Sequence, residues 1–297
     1  MNMLVSTEPG GLGNRIKSWV SARRLDPGAR VFWPDTENMP ASFSALFAND
    51  CGIDEIPDGA QEHCSWRLEI LPDDVQYLPQ GFATSGGGSH PLIRRLGKFW
   101  WRVRGNPGDR YRYMISPKRF SRRSARSDGR IIDFEYGRIP EHFRTVYAPL
   151  FAQVAVHPEI LARIDAWANQ HFGDNIIGVQ VRTWRDDPRR HRKHHRPAVG
   201  RLKALLDAAP SDRRFFVVSD DDEVAPWLGG LLGHKRVISF PRETKRLASW
   251  QSTEGMVEDL IDLALLSRAD ELFASYLSTF SETAWWLGGA RARVSVF

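Results

Sequence analysis

Four short segments combine residue types able to bind or move a charged group: Pro9-Gly-Gly-Leu-Gly-Asn-Arg15, Arg182-Thr-Trp-Arg-Asp-Asp187, Ser219-Asp-Asp221 and Ser278-Thr-Phe-Ser281. A glycine turn lets a ligand approach the backbone, and a helix start behind it offers free N–H groups; a tight strand-to-helix turn explains the same residues equally well. It is not a Walker loop, since no Gly-Lys-Ser/Thr follows, and Ile16 occupies the third glycine position of a dinucleotide fingerprint. The Arg182 guanidinium can hold a phosphate bidentately or pair with a carboxylate such as Asp186. Hydroxyls at Ser278, Thr279 and Ser281 can meet phosphate oxygens or cap a helix. His191, His194 and His195 suit a metal by type, but the cations around them would repel one, and no acidic or cysteine set completes a site. No Gly-x-Ser-x-Gly elbow or paired catalytic cysteine and histidine occurs.

The elements that must position these residues read as alternating strands and helices. Met3–Ser6 is a strand, followed by the glycine turn and a helix with Ile16, Trp19 and Val20 on one side. Pro158–His171 places Leu161, Ile164, Ala168 and His171 at helical spacing, widened by Trp167. Asn175–Val181, Arg213–Val218, Lys235–Phe240, Glu271–Tyr276 and Ala292–Phe297 read as strands, the first of them β-branched enough to be buried and parallel. Between them Met256–Arg268 and Ser281–Gly288 read as helices, and Ser219-Asp-Asp-Asp222 as a helix cap. Such alternation argues for a parallel, Rossmann-like half, and the N-terminal half opens the same way. Ligands of open α/β sheets sit beyond the carboxyl ends of the strands, which is where all four segments fall.

The chain has 297 residues, enough for two domains; 42% hydrophobic and 26% charged residues exclude a mostly disordered chain or a disulfide scaffold. Cys51 and Cys64 allow at most one bridge. With neither a signal peptide nor a membrane-length apolar run, a cytoplasmic protein is expected. The net charge of +5 hides an uneven distribution. His90–Arg130 carries +11 and Arg185–Arg201 carries +5, so the remainder is acidic at −11. Basic segments attract phosphates, nucleotides, nucleic acid or anionic membrane surfaces, or serve as solvated loops. Thr84–Arg130, with Gly86-Gly87-Gly88, reads as a long basic insertion around Phe99-Trp100-Trp101.

In combination, Gly10-Gly-Leu-Gly-Asn-Arg15, Ile177-Gly-Val-Gln-Val-Arg182, Phe216-Val-Val-Ser-Asp-Asp221, Asp259–Ser267 and Ser278-Thr-Phe-Ser281 resemble the superfamily of GDP-fucose-dependent fucosyltransferases. That superfamily comprises the α1,2, α1,6 (including the rhizobial nodulation type) and protein O-fucosyltransferases. The resemblance implies an α/β, GT-B-like fold of two facing Rossmann-like domains, an acceptor side at 1–155 and a nucleotide-sugar side at 156–297. It implies an inverting, metal-independent transfer of fucose from GDP-fucose, with no cofactor, to a glycan or related hydroxyl. Arg182 matches the arginine on the β-phosphate, Asp262 the aspartate reading guanine, and Ser278, Thr279, Phe280 and Ser281 the segment near the phosphates. Gly11, Gly13 and Asp220 join that donor site by the same resemblance, and Asn14 matches the polar residue facing the reaction centre. Gln180 stands where the family has His. Asp186 and Asp187 are the nearest candidates for a general base, followed by His191 or His194. The resemblance implies a GDP-sugar donor and a glycan acceptor; lipid-linked glycans at the inner membrane surface, docked through the basic loops, are one expectation, and no nucleic acid is expected. The alternative is a non-enzymatic module binding nucleic acid or anionic glycans through the basic segments.

Overall fold

The computed structural model describes residues 3–37, 39–63, 79, 141–246, 252–276 and 278–297. The basic insertion expected at 84–130, its Trp100-Trp101 pair and Cys64 lie outside the described residues.

The first parallel sheet is built from β1 (Leu4–Ser6), β2 (Arg30–Phe32), β3 (Gly52–Ile53) and β4 (Gln61–His63), in the order β3-β2-β1-β4. Helix α1 (Leu12–Leu25) follows β1, and the single-turn α2 (Phe43–Leu46) precedes β3. Further along, α3 (Glu141–Phe151) and α4 (Pro158–His171) lead into the second sheet. That sheet holds β5 (Ile176–Val181), β6 (Arg214–Ser219), β7 (Val237–Ile238), β8 (Glu271–Ala274) and β9 (Arg293–Val296), all parallel, in the order β7-β6-β5-β8-β9. Both orders are Rossmann-like, with the direction of winding reversing beside the first strand of each sheet. The α/β class expected from the sequence is what the chain adopts.

Strand β5 explains why the second sheet forms. Ile177, Val179 and Val181 point into one apolar cluster with Phe215, Val217 and Phe273, while Ile176 points into the other. On that second face Gly178 allows helix α8 (Thr253–Leu266) to sit close. A Cβ on Gly178 would stand 2.7 Å from both Leu266 and Leu272 side-chain carbons.

The largest apolar cluster runs from α1 (Leu12, Ile16, Trp19, Val20) to α8 and to α9 (Thr279–Leu287), where Trp285 and Trp286 are buried. Gly13 serves this docking, since a Cβ there would lie 2.9 Å from the Thr279 carbonyl oxygen and the Thr283 hydroxyl. Lys17 Nζ and Glu282 Oε2 pair across the same contact at 2.7 Å, with side chains only 1% and 5% exposed.

Several boundaries differ from the sequence reading. The strand expected over Lys235–Phe240 is paired only at Val237–Ile238. The α4 stripe is rotated: Ile160, Ile164, Trp167 and Ala168 are buried while Leu161 is 42% exposed. The segment read as a basic loop after Arg185 is helical: α5 (Pro188–Arg190), a π turn over His191–His195, then α6 (Arg196–Ala208). Asp187 starts it, its carboxylate accepting the Arg189 and Arg190 N–H groups, with Pro188 at the first helical position. Helix α7 (Val224–Leu232) has no side-chain cap on its Glu223, so Asp220 and Asp222 serve other partners.

Candidate active site

The carboxyl ends of β5, β6 and β8 meet where the second sheet reverses, and Arg182 leaves β5 at that point. Its main-chain N–H donates to Ser275 Oγ at 2.8 Å, and Ser275 Oγ donates to the Gln180 carbonyl at 3.1 Å. Asp220, at the end of β6, accepts the Thr183 N–H at 2.6 Å and the Trp184 N–H at 3.1 Å. The same carboxylate lies 3.2 Å from Arg182 Nη1. Asp220 therefore organises the turn that carries Arg182 and pairs with its guanidinium, which stays 34% exposed.

The histidines pack onto this turn. His191 Nδ1 donates to the Thr183 carbonyl at 2.8 Å, which fixes its tautomer. Burial, then His191, push the His195 pKa down, against Asp220, Asp221 and the Arg182 main chain. Burial, with Lys193 and Arg190, pushes His194 down as well. Among the described residues no group of three or more His, Cys, Asp or Glu side chains is placed to hold a metal ion. Of the base candidates, Asp187 is engaged as the α5 cap and with Arg190, whereas Asp186 is exposed. Gln180 is enclosed, and its side-chain oxygen has no hydrogen-bond partner.

Ser278 caps α9, its Oγ accepting the Ser281 N–H at 3.4 Å. Ser281 is fully enclosed, while Thr279 and Phe280 are partly exposed at the helix start. Asp262, in α8, has no exposed surface, and its Oδ2 takes Arg242 Nη1 at 2.8 Å and Arg246 Nη1 at 2.7 Å. Its Oδ1 has no hydrogen-bond partner. Arg242 also reaches Asp259 at 2.8 Å and Glu258 at 3.4 Å. Burial works against the charge on Arg242, yet Asp259, Asp262 and Glu258 outweigh it and raise its pKa. Burial raises the Asp259 carboxyl, against Arg242 and Arg246. Glu258 accepts the Glu243 N–H at 2.6 Å and the Thr244 N–H at 3.2 Å, which ties the loop after β7 to α8.

At the first sheet, Gly11 is the α1 N-cap with open space where a Cβ would stand. Beside it, a Cβ on Gly10 would meet Asn14 Nδ2 at 2.7 Å and Glu8 Oε1 at 2.8 Å. Arg15 is buried, donating to the Gly10 carbonyl at 2.9 Å and the Pro34 carbonyl at 3.0 Å, with Trp33 beneath it. Burial lowers its pKa to about 10, against Glu8 and Asp35.

Sequence reasoning passed over Glu8, Ser275, Arg242, Arg246 and Trp184. Ser275 stands directly after β8 and Glu8 two residues after β1, positions that mark them once strand ends are known. The arginines follow β7, whose short pairing hides its end.

No protein-family model matches the chain, and no curated protein matches it. Among solved structures the chain is similar to NodZ alpha-1,6-fucosyltransferase soaked with GDP-fucose, at 20% identity and a TM-score of 0.50, covering 97% of this chain and 93% of that one. It is also matched to fucosyltransferase NodZ from Bradyrhizobium, at 21% identity, a TM-score of 0.49 and coverage of 96% and 91%. POFUT1 in complex with GDP-fucose matches at 12% identity, a TM-score of 0.48 and coverage of 100% and 97%. At these identities the likeness is one of fold: the parallel α/β arrangement described above is shared with NodZ.

Proposed function

We propose that this chain is a glycosyltransferase that moves fucose from GDP-fucose to a hydroxyl of a glycan, with inversion and without a metal. In this reading residues 1–155 form the acceptor side, residues 156–297 the donor side, and the reaction is cytoplasmic. The observation that carries it is Arg182, a partly exposed guanidinium held at the reversal point of a Rossmann-like sheet by Ser275 and Asp220. A fixed cation there neutralises charge growing on a leaving β-phosphate, the task a metal performs in other sites. The start of α9, with Thr279 and Phe280 partly exposed, adds N–H groups for phosphate oxygens. Asp262 Oδ1 is the acceptor for guanine's N–H donors, provided that the enclosing residues uncover it. Asn14 faces the acceptor, and Asp186 or His194 takes the hydroxyl proton.

Thermal shift with GDP, UDP and ADP in EDTA, followed by donor hydrolysis across GDP- and UDP-sugars, tests this. GDP should stabilise the fold by about 2.7 kcal/mol at a hundredfold excess over its Kd, and GDP-fucose should be the hydrolysed donor. A shift that needed Mg²⁺ would overturn the metal-free part, and equal responses to UDP the guanine part.

A second reading rests on the α5–α6 segment, where Arg189, Arg190, Arg192, Lys193 and Arg196 are all exposed. Such a helix could bind an anionic polymer. Steeply salt-dependent binding to unrelated oligonucleotides, with no response to GDP, would favour that reading.

A further inference from the structure

Trp184 has a backbone φ of 56°, in the left-handed region that bulky residues rarely enter. The turn holds it there. Its N–H donates to Asp220 Oδ2 at 3.1 Å, and its carbonyl accepts the Asp187 N–H at 2.9 Å. The neighbouring Thr183 is fixed by Asp220 through its N–H and by His191 through its carbonyl. All of these are main-chain bonds of residues 183 and 184. A glycine at 184 could make the same bonds and would adopt this φ without steric cost.

The indole is not there for the core either, since Trp184 belongs to none of the buried apolar clusters. Its ring contacts are two guanidinium groups and, at 6.3 Å between centroids, the His194 imidazole. The Arg182 Cζ lies 4.7 Å from the ring centroid and the Arg190 Cζ 4.9 Å from it. Each guanidinium has its own carboxylate, Asp220 at 3.2 Å and Asp187 at 3.3 Å, so charge balance does not require the ring. Strained backbone persists where the surroundings over-determine it, and it collects at functional sites.

We infer that Trp184 is a positioning residue for Arg182. The left-handed turn aims the indole at the guanidinium, whose orientation is then set by the ring and by Asp220 together. A planar guanidinium held by a ring and a carboxylate keeps its remaining N–H groups in one fixed fork, the form in which it binds a phosphate bidentately. The functional part of this inference rests on the phosphate-binding role of Arg182 given above; the orientation of the side chain does not.

Two variants and two readouts test it. Trp184→Gly should fold with a melting temperature no lower than that of the parent, while GDP-fucose hydrolysis falls roughly tenfold in turnover. Trp184→Phe, which keeps a ring, should retain most of that turnover. Independently of activity, ¹⁵N relaxation of the Arg182 Nε–H should report an ordered side chain in the parent and in Trp184→Phe, and a mobile one in Trp184→Gly. An Arg182 Nε–H as ordered in Trp184→Gly as in the parent would overturn the inference. So would a loss of activity matched by a loss of folded protein. If the parent hydrolysed no GDP-sugar, the glycosyltransferase reading would fail, and the relaxation data alone would decide the positioning role.

Discussion

The two parallel sheets repeat one strand order and are held in different ways. In the five-stranded sheet, β5 and β6 are six residues long, and apolar side chains cover both faces. In the four-stranded sheet no strand exceeds three residues among the described ones. Its support is a knot of aromatic rings: Trp19 meets Phe43 at 5.3 Å and Phe47 at 5.7 Å, and Trp33 meets Phe47 at 5.5 Å. It also leans on α9 through the Lys17–Glu282 pair and the contact at Gly13. Among the described residues the short ladder offers few hydrogen bonds, and the helix behind it, α1, packs on α9. One face of the second sheet packs within its own cluster, and the other shares its core with α1.

The largest effect expected from this contrast is at Lys17. Lys17→Met breaks the buried Lys17–Glu282 pair from one side, a change that typically costs about 3–5 kcal/mol. Replacing both, as Lys17→Met with Glu282→Leu, should restore most of the loss, because the desolvation of two charges disappears with them. Urea denaturation of the single and double variants measures this. A single variant within about 1 kcal/mol of the parent would show that the ion pair contributes nothing to the docking.

Next in size is Arg182→Ala, read in activity rather than stability. Removing one electrostatic stabiliser of a developing charge costs about 2.7–4 kcal/mol of barrier, or roughly 10²–10³ in turnover. The fold should be nearly untouched, since the five-stranded sheet is covered without it. Arg182→Lys should rescue little, because an ammonium lacks the bidentate fork. Turnover close to normal in a folded Arg182→Ala protein would remove this residue from the mechanism.

His63 turns the contrast into a pH experiment. It ends β4 fully buried, and burial lowers its pKa to about 3. The folded state therefore keeps the ring neutral, whereas the unfolded chain protonates it below about pH 6.5. The unfolded state binds the extra proton, so stability falls as pH drops below 6.5 and continues to fall towards 3. Between pH 7 and pH 5 this amounts to about 2 kcal/mol. His63→Gln should flatten that part of the stability–pH curve, and an unchanged slope would assign the acid sensitivity to other groups.

The sequence made the second sheet far more legible than the first. Largely apolar runs such as Ile176–Val181, interrupted by Gln180, announce buried parallel strands, and Arg182 and Asp220 stand directly after two of them. Strands of two or three residues carry little readable period, so β2, β3 and β4 have no signal in the sequence, and β1 is marked by the glycine turn that follows it. The α5–α6 segment was misread because its first turns bury nothing and so show no stripe, although Asp187-Pro188 is a helix-start signal. Asp262 was marked by motif, but its arginine partners, Arg242 and Arg246, are brought to it only by the tertiary fold. The strain at Trp184 had no signal in sequence, since nothing in residue type predicts a left-handed tryptophan.

The smallest effect concerns Gly11, where the two explanations of the glycine turn separate. Gly11 is the N-cap of α1, at φ −68° and ψ 173°, an extended conformation that serine adopts freely. A Cβ there meets nothing within 4 Å. Gly11→Ser should therefore stabilise the protein by a few tenths of a kcal/mol, because a serine hydroxyl can accept from an N–H that now has no side-chain cap. If the glycine serves only the turn, activity should stay at the parental level. If a ligand approaches the backbone here, the added side chain stands in its path, and KM for donor or acceptor should rise while the melting temperature does not fall. Gly13→Ala is the matched control, since its Cβ would strike α9 rather than open space; it should lose about 1–3 kcal/mol of stability. A Gly11→Ser protein that kept both KM values would reduce the N-terminal glycine turn to a helix start.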